Sequence, residues 1–205
     1  QSEIARNTAL SAERLQNIED TLGALRQRTT HYYHKEYRNM ELVEQLRKDG
    51  TEKGLCLLWQ RKLRGNLDTE ALVRLYIKGI DFCICEDYPT LDFLRTHFKG
   101  VCEPYGVYID EDMPTLANKP DLVLNGACRG MLEYDGYSVS RLYVRHTSET
   151  AVNVSDHAIV TIDLFDTSRL HLSVSGGLAR VIVNAYGKQP VIDFVDGKQP
   201  GNVTV

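Results

Sequence analysis

The chain has 205 residues, 42% of them hydrophobic and 25% charged, which excludes a disordered chain and suffices for one domain or two small ones. The net charge is −4, so the basic field of a dedicated nucleic-acid or anionic-membrane binder is absent. No apolar run reaches the roughly 18 residues that would predict a transmembrane helix and membrane insertion.

Residues 1–25 lack the apolar core of a signal peptide, and the start at Gln1 rather than Met reads as a trimmed or processed piece. The 5 cysteines form no C-x-x-C pair and read as reduced thiols, small hydrophobes of a reducing compartment. Residues 1–100 hold 16 Lys/Arg against 15 Asp/Glu, and residues 101–205 hold 8 against 13. The composition changes at the same place, from helix formers to β formers, so an α+β chain with helices first and strands second is expected.

Ser2 to about Arg28 is predicted as one helix, rich in Ala, Leu, Glu, Arg and Gln and free of proline. Leu15, Ile18, Leu22 and Leu25 are spaced three, four and three apart, the a/d seam of a coiled coil. Continued backward, the seam meets Ser11, Thr8 and Ile4 and weakens. These four aliphatics are the candidate oligomerisation residues; an amphipathic helix lying on its own domain is the other reading. His31 and His34 could pair on a metal, but two histidines are weak ligands, and a helix continuation or linker is the expected reading.

Residues 41–64 are predicted as two short helices broken near Asp49-Gly50. Asp68 is placed as the N-cap of a helix over 69–78, with Ala71, Leu72, Leu75 and Tyr76 on one face. The run Ile80–Cys85 (IDFCIC) reads as a strand. Pro89 at the first helical position opens a further helix that stops at Gly100, with Leu91, Phe93, Leu94 and Phe98 inward. Trp59 and Phe98 are assigned to the core. The expected domains are a helical stem over 1–39, a small helical module over 40–105, and a β region over 106–205 ending in a cap.

That β region carries the strongest pattern. Read from 117 to 196 in steps of ten, the sixth position is Leu122, Leu132, Leu142, Val152, Ile162, Leu172, Ile182 and Ile192. The eighth is Leu124, Tyr134, Val144, Val154, Leu164, Val174, Asn184 and Phe194. The residues between are mostly polar, which is the alternation of a half-buried strand. Gly or Asp recurs at the tenth position and marks a turn. Small residues fill the second position at Cys128, Ser138, Ser148, Ala158 and Ser168. A fixed period over eight units is the signature of a stacked β architecture. A weaker doubling, Val139, Ile159 and Ala179 against Arg129, Glu149, Arg169 and Gln189, favours two strands per coil. The expectation is a flattened β-solenoid of about four coils, its shaft roughly 20 Å long at about 4.8 Å per rung. An antiparallel meander is the competing reading. Asn202 replaces the aliphatic in the last unit and implies a cap.

No phosphate loop, H-E-x-x-H or Ser–His–Asp spacing occurs. No catalytic, cofactor or metal site is expected. Asp156 and Asp166, with His146 before them, occupy repeated turn positions, where paired carboxylates would suit polysaccharide cleavage; turns also simply prefer Asp. Asp110-Glu111-Asp112 reads as a solvated loop. Tyr137, Arg141, Tyr143 and Arg145 are the candidate surface-recognition patch, because Tyr and Arg suit such surfaces.

Lys53–Gln60 (KGLCLLWQ), Gly79–Phe93 (GIDFCICEDYPTLDF) and Tyr134–Ser148 (YDGYSVSRLYVRHTS) resemble segments of small uncharacterised proteins of phages and prophages of Bacteroidales. The resemblance covers about residues 40–175 and makes Met40 look like the start of stand-alone versions. It implies a phage or mobile-element context and transfers no catalytic residue. The order of stem, adaptor and repetitive β tip is similar to phage tail fibres, which are usually trimers. The resulting expectation is a non-enzymatic virion protein made in the bacterial host cytoplasm. Its partners would be further copies of itself, other virion proteins and a host surface glycan or protein. A bactofilin-like scaffold and a polysaccharide-degrading tailspike are the alternatives.

Overall fold

In a computed structural model, the backbone is described for residues 2–187 and 189–205. Within these, side chains are described for 14–30, 32, 33, 36–187 and 189–205. The chain divides into two compact units, residues 1–68 and 69–205.

In the first unit, α1 spans Ser2–Glu52 without interruption, 51 residues and roughly 75 Å at 1.5 Å per residue. The expected stem boundary at residue 39 therefore lies inside a helix, and the break expected at Asp49-Gly50 is displaced. The helix stops at Gly54, whose φ of 92° only glycine adopts freely. The Gly54 N–H donates to the Thr51 carbonyl at 3.0 Å and the Leu55 N–H to the Gly50 carbonyl at 2.8 Å. This is a Schellman closure, and the residue after the glycine, Leu55, is buried. Val43 and Leu46 are buried on the last turns of α1. The short helix α2 (Leu57–Lys62) follows, with Trp59 half-buried beneath the Lys62 ammonium rather than in the core.

The second unit opens with α3 (Thr69–Lys78), α4 (Ile80–Cys85) and α5 (Leu91–His97). The run IDFCIC is thus a helix and not the expected strand. It buries Ile80 and Cys83, three apart, and a six-residue apolar run has no periodicity long enough to separate the two states. The N-cap of α5 is Thr90, whose hydroxyl accepts the Phe93 N–H, so Pro89 precedes the cap instead of opening the helix. Leu94 and Phe98 are buried, whereas Leu91 and Phe93 are half-buried. A 3-10 turn, Glu103–Tyr105, leads into the strands.

Among the described residues, eleven strands then wind as a β-solenoid of about five turns, one more than expected. The odd strands β1 (Val107–Ile109), β3 (Asp121–Asn125), β5 (Val139–Val144), β7 (Ile159–Leu164), β9 (Arg180–Ala185) and β11 (Val203–Thr204) form one sheet in that order. The even strands β2 (Leu116–Ala117), β4 (Arg129–Tyr134), β6 (Glu149–Val154), β8 (Arg169–Val174) and β10 (Val191–Phe194) form the other. Every pairing is parallel, which excludes the meander. Partners stand twenty residues apart through the middle, as in Leu122↔Leu142, Leu142↔Ile162 and Leu132↔Val152. The sixth and eighth positions fill the core between the sheets, and of the small second positions Cys128, Ser148, Ala158 and Ser168 are buried where the chain turns while Ser138 is half-buried.

Two facing assignments differ from expectation. A one-residue insertion around Gly176-Gly177-Leu178 moves the register, so Ile162 pairs with Val183. Ile182 is consequently 43% exposed while Val183 is 1% exposed. Tyr143 and Val123 are at outward positions yet are buried, because α3 and α4 lie against this end of the six-stranded sheet. At the far end, Asn202 donates to the Gly176 and Ala179 carbonyls, and Val203–Thr204 pairs with β9, closing the last turn.

Candidate functional site

A row of four exposed aliphatics marks α1 in the first unit. Leu15, Ile18, Leu22 and Leu25 are between 50% and 62% exposed on α1. Tyr32, Tyr33, Tyr37 and Met40 continue the exposed apolar surface along the helix. Ile4, Thr8, Ser11, His31 and His34 lie outside the described side chains, so the weak end of the seam and the histidine pair are not placed.

In the solenoid the expected recognition patch splits. Tyr137 is 82% exposed at a corner and stacks on His157 of the next turn, ring centroids 4.6 Å apart. Arg141 is exposed and paired with Asp121 at 3.0 Å. Tyr143 is buried, and Arg145 is only 3% exposed, so neither belongs to a free surface. Both are covered for one reason: the helices of the same unit lie over the end of the strand that carries them.

Beneath those helices the buried polar groups converge. The Tyr76 hydroxyl on α3 donates to Asn125 Oδ1 at 3.1 Å. Arg145 Nη1 donates to the same oxygen at 3.3 Å and to the Tyr76 oxygen at 3.2 Å. Arg145 Nη2 reaches Asp87, in the turn after α4, at 3.4 Å. Burial pushes the Tyr76 hydroxyl up to about 12 and the neighbouring Cys83 thiol also to about 12, so both are neutral. Asn125, Tyr76 and Asp87 were not readable as a set. The one available signal was Val123 and Tyr143, apolar on alternate outward positions, which marks a covered strip.

The corners carry a second hydrogen-bond system. Asp166 Oδ2 accepts the His146 N–H at 2.8 Å, and His146 Nδ1 accepts the Gly126 N–H at 3.0 Å. At the opposite corner Asp156 Oδ2 accepts the Gly136 N–H at 3.1 Å. Gly126 has φ 78°, and a Cβ there would fall 2.1 Å from Asp110 Oδ1. Asp110 itself receives Arg95 at 2.6 Å and the Ala127 N–H at 2.9 Å, and the Arg95 guanidinium holds its carboxyl below the usual range. Asp156 and Asp166 stand at opposite ends of β7, each bound to backbone of the preceding turn, and do not form a carboxylate pair.

His146 is held below its ordinary pKa, first by burial and then by the Arg145 charge. The folded state therefore favours the neutral ring that accepts from Gly126. This contribution is fully present above the unfolded value, about 6.5, and is lost as pH falls below it. His146→Asn retains an acceptor and tolerates the left-handed φ of 60°. Thermal unfolding between pH 8 and pH 5 is expected to show a shallower acid loss in that variant. An identical slope would remove His146 from the account.

On the flat face of the five-stranded sheet, His171 lies between Glu149 at 2.9 Å and Asp193 at 3.5 Å. Arg169 also pairs with Asp193 at 2.9 Å. Among the described residues, no group of His, Cys, Asp and Glu is arranged to hold a metal ion, and no helix is long and apolar enough to cross a membrane. No family model matches the chain, and neither a curated protein nor a solved structure matches it.

Proposed function

We propose that the chain is a non-enzymatic virion structural protein, a tail-fibre or baseplate-associated subunit that assembles as a parallel trimer through α1 and presents a β-solenoid for attachment or assembly. The observation that carries this reading is the exposed row Leu15, Ile18, Leu22 and Leu25 on a 51-residue helix. A helix much longer than about 25 residues needs a partner along its length. In the heptad frame Leu15 and Leu22 take a positions and Ile18 and Leu25 take d positions. In the first of these heptads Leu at a with Ile at d favours three or four strands over two, and the second carries Leu at both positions. In a parallel arrangement Arg14 at g faces Glu19 at e of the neighbouring helix, which is an attractive pair. The stem-to-β order and the resemblance of residues 40–175 to phage-encoded proteins support the virion context.

Burying each aliphatic contributes about 1.5–3 kcal/mol, so two charged replacements on the seam are enough to dissociate it. Ile18→Asp with Leu22→Asp is expected to reduce the oligomer to monomer in light scattering while the β circular dichroism is retained. An unchanged mass in the double variant would refute the seam as the interface.

A further inference from the structure

We infer that the outer face of α2 docks on an anionic lipid surface, with Leu57 and Leu58 entering the headgroup layer and Arg61 and Lys62 meeting the lipid phosphates. The inference is independent of the proposed virion role. Leu57 and Leu58 are 70% and 61% exposed, and no residue of the helix is buried. Their exposure follows from how α2 is anchored. Leu55 before it and Leu63 after it are buried, and the Gln60 side chain donates to the Leu55 carbonyl at 2.6 Å. Trp59 and Gln60 are half-buried. At about 100° per residue, Trp59, Gln60 and Leu63 fall on one side of the helix, and Leu57, Leu58, Arg61 and Lys62 fall on the opposite side.

Charge selects the occupant. The whole chain carries −4, but residues 53–64 hold 4 Lys/Arg and no Asp/Glu. Among the described residues, Arg61 and Lys62 enter no ion pair. Lys62 lies instead over the Trp59 ring, 4.1 Å from its centroid. Arg64, just beyond the helix, is exposed and acts on Glu44 of α1. Leucines and a tryptophan bordered by cations are the composition of helices that lie at a lipid headgroup boundary. Shape favours lipid over an acidic protein. The groove beside Arg64 is lined by Met40, Val43, Glu44, Arg47 and Gly65, so none of the four outer residues of α2 borders it. A convex pair of leucines suits a surface that deforms around it, whereas a protein partner would have to supply the whole pocket.

The test uses the full chain, in which Trp59 is the single tryptophan and lies on α2, so its emission reports docking directly. Vesicles of phosphatidylcholine and phosphatidylglycerol in equal parts are expected to shift that emission to the blue and to sediment the protein. Vesicles of phosphatidylcholine alone are expected to do neither. Leu57→Ser with Leu58→Ser, at exposed positions that the fold does not use, is expected to weaken binding more than about ten-fold. Arg61→Gln with Lys62→Gln is expected to weaken it about 25-fold, roughly five-fold per charge. Anionic vesicles without effect, equal binding to both kinds of vesicle, or a leucine variant that binds like the wild type would overturn the inference. Polyglutamate that shifts the emission as well as the anionic vesicles do would show an acidic protein partner and overturn it too. A fall in oligomer mass in the leucine variant would make the ridge a face between copies, with the same consequence.

Discussion

Leu142→Asp is expected to abolish the folded solenoid as a whole. Leu142 is 0% exposed and stacks between Leu122 and Ile162 on the turns before and after it. The substitution removes about 1.5–3 kcal/mol of apolar burial and adds an unpaired buried carboxylate, which costs several kcal/mol more. Domains of this kind are stable by only about 5–15 kcal/mol. Each turn buries its core only against its neighbours, so the loss spreads through the stack. Loss of β circular dichroism at room temperature would show it. A companion pair tests the register: Val183→Asp is expected to behave like Leu142→Asp, whereas Ile182→Asp is expected to change stability little. The reverse order would restore an unbroken ten-residue period and contradict the insertion at Gly177.

The second large effect is expected at Asp87. Its carboxylate sits at the rim, but it is paired with a guanidinium that is buried. Asp87→Asn keeps the side-chain shape and a residue that tolerates the φ of 45° at this position. It leaves the buried charge without its counter-ion. Breaking a fully buried pair in this way costs about 3–5 kcal/mol, and solvent at the exposed partner reduces this to about 2–3 kcal/mol. Urea denaturation measures the difference. Asp121→Asn is the matched surface control: it breaks the exposed Arg141 pair and is expected to cost less than about 1 kcal/mol. Equal costs for the two variants would mean that the buried joint does not hold the helices to the solenoid.

The solenoid was legible because its chemistry repeats. Leu122, Leu132, Leu142, Val152, Ile162 and Leu172 are fully or almost fully buried, as their shared position requires. The doubling to twenty residues has its counterpart in the parallel pairing of alternate strands. The fourth position was missed although it also faces inward, because it runs through Gly130, Ser140, Thr150, Val160 and Leu170. Its size and polarity change from turn to turn, so it shows no hydrophobic period. The slip at Gly177 was hidden for another reason. Val181, Ile182 and Val183 are all aliphatic, so either register looks apolar at the sixth position. In the helical half, Gly50 looked like a stop, but a glycine ends a helix only where a positive φ and two closing hydrogen bonds meet, and that happens at Gly54. The joint at Arg145 needed tertiary contacts from α3 and the turn after α4, which no local pattern in β5 encodes. Of the expected patch, Tyr137 is exposed and stacked on His157, and Arg141 is exposed but paired.

Assembly through α1 is the central proposal, because it would bury the exposed apolar row of that helix. Sedimentation equilibrium of the full chain at micromolar concentration tests it most directly. The account predicts a single species of three times 23.2 kDa, about 70 kDa. A mass of 23.2 kDa across the concentration range, with the segment Leu15–Leu25 still protected from protease, would contradict it.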